Sequence, residues 1–192
     1  MNNNQTNKTL GESIWQPTLT GVQITLRPLE EADFEDLYLA ASDPLIWEQH
    51  PDRERYTRER FQVYFRSGME SNGAFAVIDI KTQRVIGCSR YFNSKKSSVE
   101  MGYTFLTRAY WGKNYNKELK QLMLDYAFRF VEDVYFVVGK ENYRSQKAMA
   151  KIGASQIPDF SGIRARDELE KSVAFQIKKE NWISKLSEGG KK

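Results

Sequence analysis

The stretch MGYTFLTRAYWGKNYNK, Met101–Lys117, decides how this chain is read. It joins two segments of different period. Val99–Leu106 has the alternating, β-branched and aromatic composition of a strand. From Tyr115 the apolar residues are Tyr115, Leu119, Leu122, Met123, Tyr126, Ala127 and Phe130, at spacings of 4, 3, 1, 3, 1 and 3. That spacing predicts a long amphipathic helix with one buried stripe. The join contains Arg108, Lys113 and Lys117, and no acid occurs before Glu118. Helix starts usually attract Asp or Glu, because their free N–H groups act as about half a positive charge. Bases there, next to Gly112, point to a phosphate or pyrophosphate seat built from main-chain amides. A solvated basic turn is the plainer alternative. Neither G-x-x-x-x-G-K-[ST] nor G-x-G-x-x-G occurs, which disfavours nucleotide hydrolysis and a Rossmann dinucleotide site.

Working outward, VQITLRP (Val22–Pro28) reads as a strand, and Glu30–Ala41 and Thr57–Gly68 as helices. Ala74–Ile80, Val85–Phe92 and Val99–Leu106 are three strands separated by short polar turns, which implies antiparallel hairpins. In the last of these, alternation puts Val99, Met101, Tyr103 and Phe105 on one face and Glu100, Gly102, Thr104 and Leu106 on the other. After the long helix come a strand at Val134–Val138, a helix at Asn142–Ile152 closed by Gly153, strands at Ala154–Pro158 and Ser172–Ile177, and a helix at Lys179–Leu186. The order β-α-α-β-β-β-α-β-α-β-β predicts one α/β domain with a mixed sheet of about seven strands. Its expected bounds are 21–187, with looser segments at 1–20 and 188–192.

The 192 residues are 40% hydrophobic, enough for one core. One Cys (Cys88) and one His (His50) exclude a disulfide and a Cys- or His-rich metal site, so no metal is expected. The net charge is +4, of which residues 178–192 supply +3 (five Lys against Glu180 and Glu188). The remainder is near +1, so nucleic acid is not required as a partner. No apolar run is long enough to span a bilayer, and the first residues carry no secretory signal. No membrane partner and a cytoplasmic location are therefore expected.

WGKNYNKELKQLMLDYAF (Trp111–Phe128) and NYRSQKAMAKIGA (Asn142–Ala154) resemble the GNAT superfamily of N-acetyltransferases. ITLRPLEEADFEDLY (Ile24–Tyr38) and VEMGYTF (Val99–Phe105) match in the same order, most closely with the ribosomal-protein N-terminal acetyltransferase-like branch. The resemblance covers about residues 22–178. It implies a splayed mixed sheet with helices on both faces, acetyl-CoA as cosubstrate, and acyl transfer to a primary amine in a ternary complex. The acceptor would be a protein N-terminus or a small-molecule amine; self-association into a homodimer is left open. The family's pyrophosphate pattern Q/R-x-x-G-x-G/A falls on Ala109–Asn114, with Gly112 kept and both ends altered.

By the same resemblance, Phe105, Leu106 and Thr107 would serve the thioester and pantetheine arm, and Gly112, Lys113, Asn114, Tyr115 and Asn116 the diphosphate. Asn142 would contact the coenzyme, or simply cap its helix. Glu100 is the candidate general base, since the amine must lose a proton. The family's usual Tyr acid is replaced by Met149, leaving Ser145 or Tyr143 as candidates for protonating the thiolate. His50 is either a pocket or a surface residue, and Cys88 a small buried hydrophobe. A GNAT-fold protein that binds acyl-CoA without turnover, or a basic RNA-associated module, are the competing functions.

Overall fold

Ile24–Pro28 alternates because one face must be buried: Ile24 and Leu26 are fully enclosed, while their neighbours are partly exposed. Ala74–Asp79 and Val85–Phe92 are instead buried on both faces, and all these segments belong to one eight-stranded sheet in a computed structural model that describes residues 14–158 and 171–189, with side chains to Ser184. The strands are β1 (Leu19–Thr20), β2 (Ile24–Pro28), β3 (Ala74–Asp79), β4 (Val85–Phe92), β5 (Ser98–Leu106), β6 (Asp133–Gly139), β7 (Ser155–Ile157) and β8 (Ser172–Lys178). Their spatial order is β1-β2-β3-β4-β5-β6-β8-β7. Every pairing is antiparallel except β5 with β6.

The helices are α1 (Phe34–Ala41), α2 (Arg58–Glu70), α3 (Tyr115–Ala127), α4 (Tyr143–Ile152) and α5 (Lys179–Gly189). Leu37, Phe61 and Phe65 of α1 and α2 cover one face of the sheet, with Ala76, Cys88 and Phe105 beneath them. Leu119, Met123 and Leu124 of α3, with Trp182 of α5, cover the other face over Val77, Met101 and Phe136. At about 25 cal/mol per Å² of apolar surface, such two-sided burial is what holds the layers together.

Three expectations need adjustment. The eighth strand is Leu19–Thr20, inside the segment 1–20 expected to be loose; Trp15 also packs on Tyr91 there. Residues 1–13 and 190–192 lie outside the described residues. The long helix stops at Ala127, so Phe130 falls in a turn and is 43% exposed.

The third adjustment concerns β5. Cys88 pairs with Phe105 and Arg90 with Gly102, so two steps on β4 face three on β5. The extra residue is a β-bulge, and Tyr103 adopts φ 51° there. Beyond it the alternation inverts. Val99, Met101 and Leu106 now share the α3 face, while Phe105 and Tyr103 join the α1/α2 cluster.

Candidate active site

Beyond its first three residues, β5 has no partner on one side. It pairs with β6 only through Ser98–Asp133, Val99–Val134 and Glu100–Tyr135. Past that point β5 follows β4, β6 follows β8, and the two strands part. The gap opens into a cleft of about 710 Å³. Its floor and walls come from Met101–Leu106, Phe136–Gly139, the Trp111–Lys117 turn, the length of α4, and the Ile46–Arg55 segment.

The turn into α3 is shaped by two left-handed residues, Gly112 at φ 75° and Asn114 at φ 67°. Asn114 is the N-cap of α3 and makes no side-chain cap. The first-turn N–H groups of α3, which have no helical acceptor, are therefore not covered by the usual cap side chain. A Cβ on Gly112 would meet nothing within 4 Å. Glycine is needed there for its φ, not for space.

Among the described residues lining the cleft, none is Asp or Glu, whereas Arg55, Lys117, Lys120, Arg144, Lys147 and Lys151 all line it. Arg144 stacks on the Trp111 ring at 4.2 Å, donates to the Ile46 carbonyl at 2.6 Å, and has its backbone N–H on Gln49 Oε1 at 3.0 Å. It thereby ties α4 to the turn and to the segment before α2. Burial lowers its pKa from the ordinary value. Arg55 lies over the Trp47, Tyr64 and Tyr103 rings and is paired with Asp52. Beside it, His50 is pushed down to about 4 by burial, and the Arg55 guanidinium 3.3 Å away opposes a second charge.

Of the residues expected from sequence, Phe105, Leu106, Gly112, Asn114, Asn116, Asn142, Tyr143 and Ser145 line this cleft, and His50 does too. Asn142 is buried and caps α4, its Oδ1 accepting from the Ser145 N–H at 3.1 Å. Tyr143 is 63% exposed at the rim. Thr107, Lys113 and Tyr115 are not among the lining residues. Thr107 Oγ1 instead donates to the Ala40 or Ile86 carbonyl, and Tyr115 donates its phenol to Asp79 at 2.9 Å. Glu100 does not line the cleft either. It sits in the last paired rung of β5 and β6, 2% exposed, with Oε1 accepting from Asn93 Nδ2 at 2.7 Å. Cys88 is buried in the α1/α2 layer, its thiol pushed up to about 11 by burial. No thiolate is available there for a covalent acyl intermediate.

Arg55, Arg144, Lys147 and Lys151 were not anticipated from sequence, and neither was Lys120. Lys120 is 3% exposed on the inner face of α3 and lines the cleft where the strands part. Burial pushes its pKa down to about 7. The sequence does carry a signal: Lys120, Met123, Leu124 and Ala127 fall at i, i+3, i+4 and i+7 on the buried stripe.

No group of three or more His, Cys, Asp or Glu placed to hold a metal occurs among the described residues, and no helix there is long and apolar enough to cross a membrane.

The family model described as "Acetyltransferase (GNAT) domain" matches residues 23–155. A GCN5-related N-acetyltransferase from Brucella melitensis superposes with a TM-score of 0.72 at 18% identity, over 88% of this chain and 81% of that one. The GNAT-family acetyltransferase of Bacillus anthracis gives 0.69 at 20% identity, over 85% and 99%. A spermidine N-acetyltransferase from Vibrio cholerae, solved with CoA and spermine, gives 0.62 at 19% identity, over 84% and 98%. At these identities the structural likeness is one of fold.

Proposed function

Because this chain belongs to the GNAT acetyltransferases, acyl-CoA-dependent enzymes, we propose that it transfers the acetyl group of acetyl-CoA to an α-amino group, such as a protein N-terminus. The observation that carries this reading is the gap between β5 and β6, which opens beside a helix start with no side-chain cap and is lined by bases with no carboxylate among the described residues.

The coenzyme is a polyanion. In this reading its diphosphate takes the amides of Gly112–Asn116, with Lys117, Lys147, Lys151 and Arg144 around the mouth neutralising its phosphates. The acyl arm then runs between Thr104–Leu106 and Phe136–Gly139. Backbone N–H groups near Phe105 and Leu106 serve the developing oxyanion. Asn142 positions α4 and meets the arm. The acceptor enters from the side of Trp47, His50 and Arg55.

Charge narrows the acceptor. A polyamine would meet Arg55 rather than an acid, which is unfavourable. The nucleophile must also arrive uncharged. A lysine side chain has a free pKa of about 10.4 and would need a strong base, whereas an α-amino group at about 7.8 is substantially neutral near physiological pH. With Glu100 outside the cleft lining, an α-amine that deprotonates to solvent fits best, in keeping with the resemblance to the ribosomal-protein branch. Attack by the nitrogen on the thioester carbon forms the C–N bond, expels the CoA sulfur, and leaves the amide.

The test has two stages. Acetyl-CoA at 100 times its dissociation constant should add about 2.7 kcal/mol of stability in a thermal melt. Thiol release should then be faster with short peptides bearing a free α-amine than with spermidine. No thermal shift sinks the reading. A shift without thiol release from any amine favours the acyl-CoA-binding sensor.

A further inference from the structure

Among the described residues, Lys120 has no counter-ion. Its ammonium makes one hydrogen bond there, to Thr104 Oγ1 at 2.8 Å, and that hydroxyl shares a second bond with Ser89 Oγ at 2.7 Å. The Phe136 ring centroid lies 5.4 Å from Nζ. An ammonium has three N–H groups, so two have no acceptor among the described residues. The other ionisable groups on the cleft wall are five bases, His50 and three tyrosines. A buried cation with no counter-ion among the described residues is destabilising, so its presence points to work done in the site.

Its place says which work. Thr104 is in β5 beyond the last rung shared with β6, and Phe136 is the first β6 residue beyond that rung. Lys120 therefore stands at the floor of the gap, on the α3 face. The helix that carries it begins at the turn assigned to the diphosphate, so phosphate seat and floor belong to one rigid element.

We propose that Lys120 is the catalytic proton donor to the departing CoA sulfur. The proposal rests on the acyl-CoA reading above. As the amine nitrogen bonds to the carbonyl carbon, the C–S electron pair collapses onto sulfur, and a proton passes from Nζ to give the free thiol. The amine's own proton leaves to solvent, and solvent reprotonates Nζ before the next turnover. The energetics agree. An ordinary lysine at about 10.4 would hold its proton against a thiolate whose conjugate acid is near 8.5, whereas burial pushes Lys120 down to about 7, below that thiol, so the proton passes to sulfur favourably.

The experiment compares wild type, Lys120→Met and Lys120→Arg with an α-amino peptide as acceptor and two donors: acetyl-CoA and the acetyl ester of seleno-CoA. A selenol leaves as an anion at neutral pH and needs no proton donor. With acetyl-CoA, Lys120→Met should lose about 100-fold in turnover, the scale of positioned proton transfer, and with the selenoester less than a tenth of that factor. Lys120→Arg keeps the charge but not the labile proton, and should fail to restore turnover with acetyl-CoA. CoA binding by Lys120→Met should match wild type, which also reports that the variant folds. Equal losses with both donors, or full rescue by Arg, overturn the donor role. A preference for succinyl-CoA over acetyl-CoA of about tenfold in affinity, lost in Lys120→Met, overturns it in favour of a carboxylate seat. Should Lys120→Met not fold, the wild type and Lys120→Arg carry the same comparison. Absence of thiol release by wild type with any amine sinks the acyl-transfer reading itself, and this role with it.

Discussion

Asp33 shows how much one side chain can hold. Both its oxygens meet Arg27, at 2.7 and 2.5 Å, and Oδ2 also accepts the Glu30 N–H at 2.8 Å. It is 5% exposed and anchors the 3-10 turn that leads into α1. Asp33→Ala strands a half-buried guanidinium and a backbone donor. Urea denaturation should show a loss of about 2–3 kcal/mol. His50 offers a pH reading. Its folded pKa, about 4, lies below the ordinary 6.5. Between those values the unfolded chain binds more protons than the folded one, so stability rises with pH there. The His50 contribution is fully present above about 6.5 and is lost as pH falls to about 4. His50→Gln should flatten that part of the stability profile in melts from pH 4 to 7. At this scale the sequence was only partly legible. Gly112 stood out because a glycine at a loop-to-helix join lets main-chain amides come close to an anion. Lys120 did not, because a buried stripe is normally sought among apolar residues, and a lysine in the pattern looks like surface.

Elements were easier to read than residues. Hydrophobic patterning together with turn and cap residues located α2, α3, α4 and the strands from β2 to β6, although β3 and β4 are buried on both faces. Gly153 closes α4 at φ 86°, as a helix-ending glycine does, and Asn142 caps its start. Asn142→Ala should lower stability by about 1 kcal/mol through the lost cap. It should also weaken acetyl-CoA binding measured calorimetrically, which a cap elsewhere would not do. The β5 bulge escaped notice for a physical reason. Residues at φ > 0 are usually Gly or Asn, but here Tyr103 occupies that conformation. Its carbonyl accepts from the Tyr64 phenol at 2.6 Å, and its ring packs under Arg90 at 3.4 Å from the centroid. Tertiary contacts hold what local preference disfavours. A simple alternation therefore put Thr104 and Phe105 on the wrong faces, and with them the floor of the cleft.

For the whole molecule, a net charge of only +4 conceals where the charge matters. Lys117, Arg144, Lys147 and Lys151 line a cleft with no Asp or Glu among its described lining residues. Acetyl-CoA affinity should therefore fall as salt rises, roughly log-linearly, as phosphate neutralisation implies. An affinity indifferent to potassium chloride would remove these bases from the binding argument. The α/β class and the mixed sheet were readable because short turns force hairpins and only helical crossovers allow parallel neighbours. The extent of the gap was not, because pairing that stops partway along a strand leaves no mark in hydropathy.

That early end to pairing has a mechanical consequence. All ladder contacts except the three between β5 and β6 lie within residues 19–106 or within residues 133–178. The sheet is thus two slabs, each a continuous length of chain, stitched along a short seam. Thermal breathing should concentrate at that seam. Amides at 101–106 and 136–139 should exchange with deuterium sooner than those of β3, and bound acetyl-CoA, bridging the slabs, should slow them.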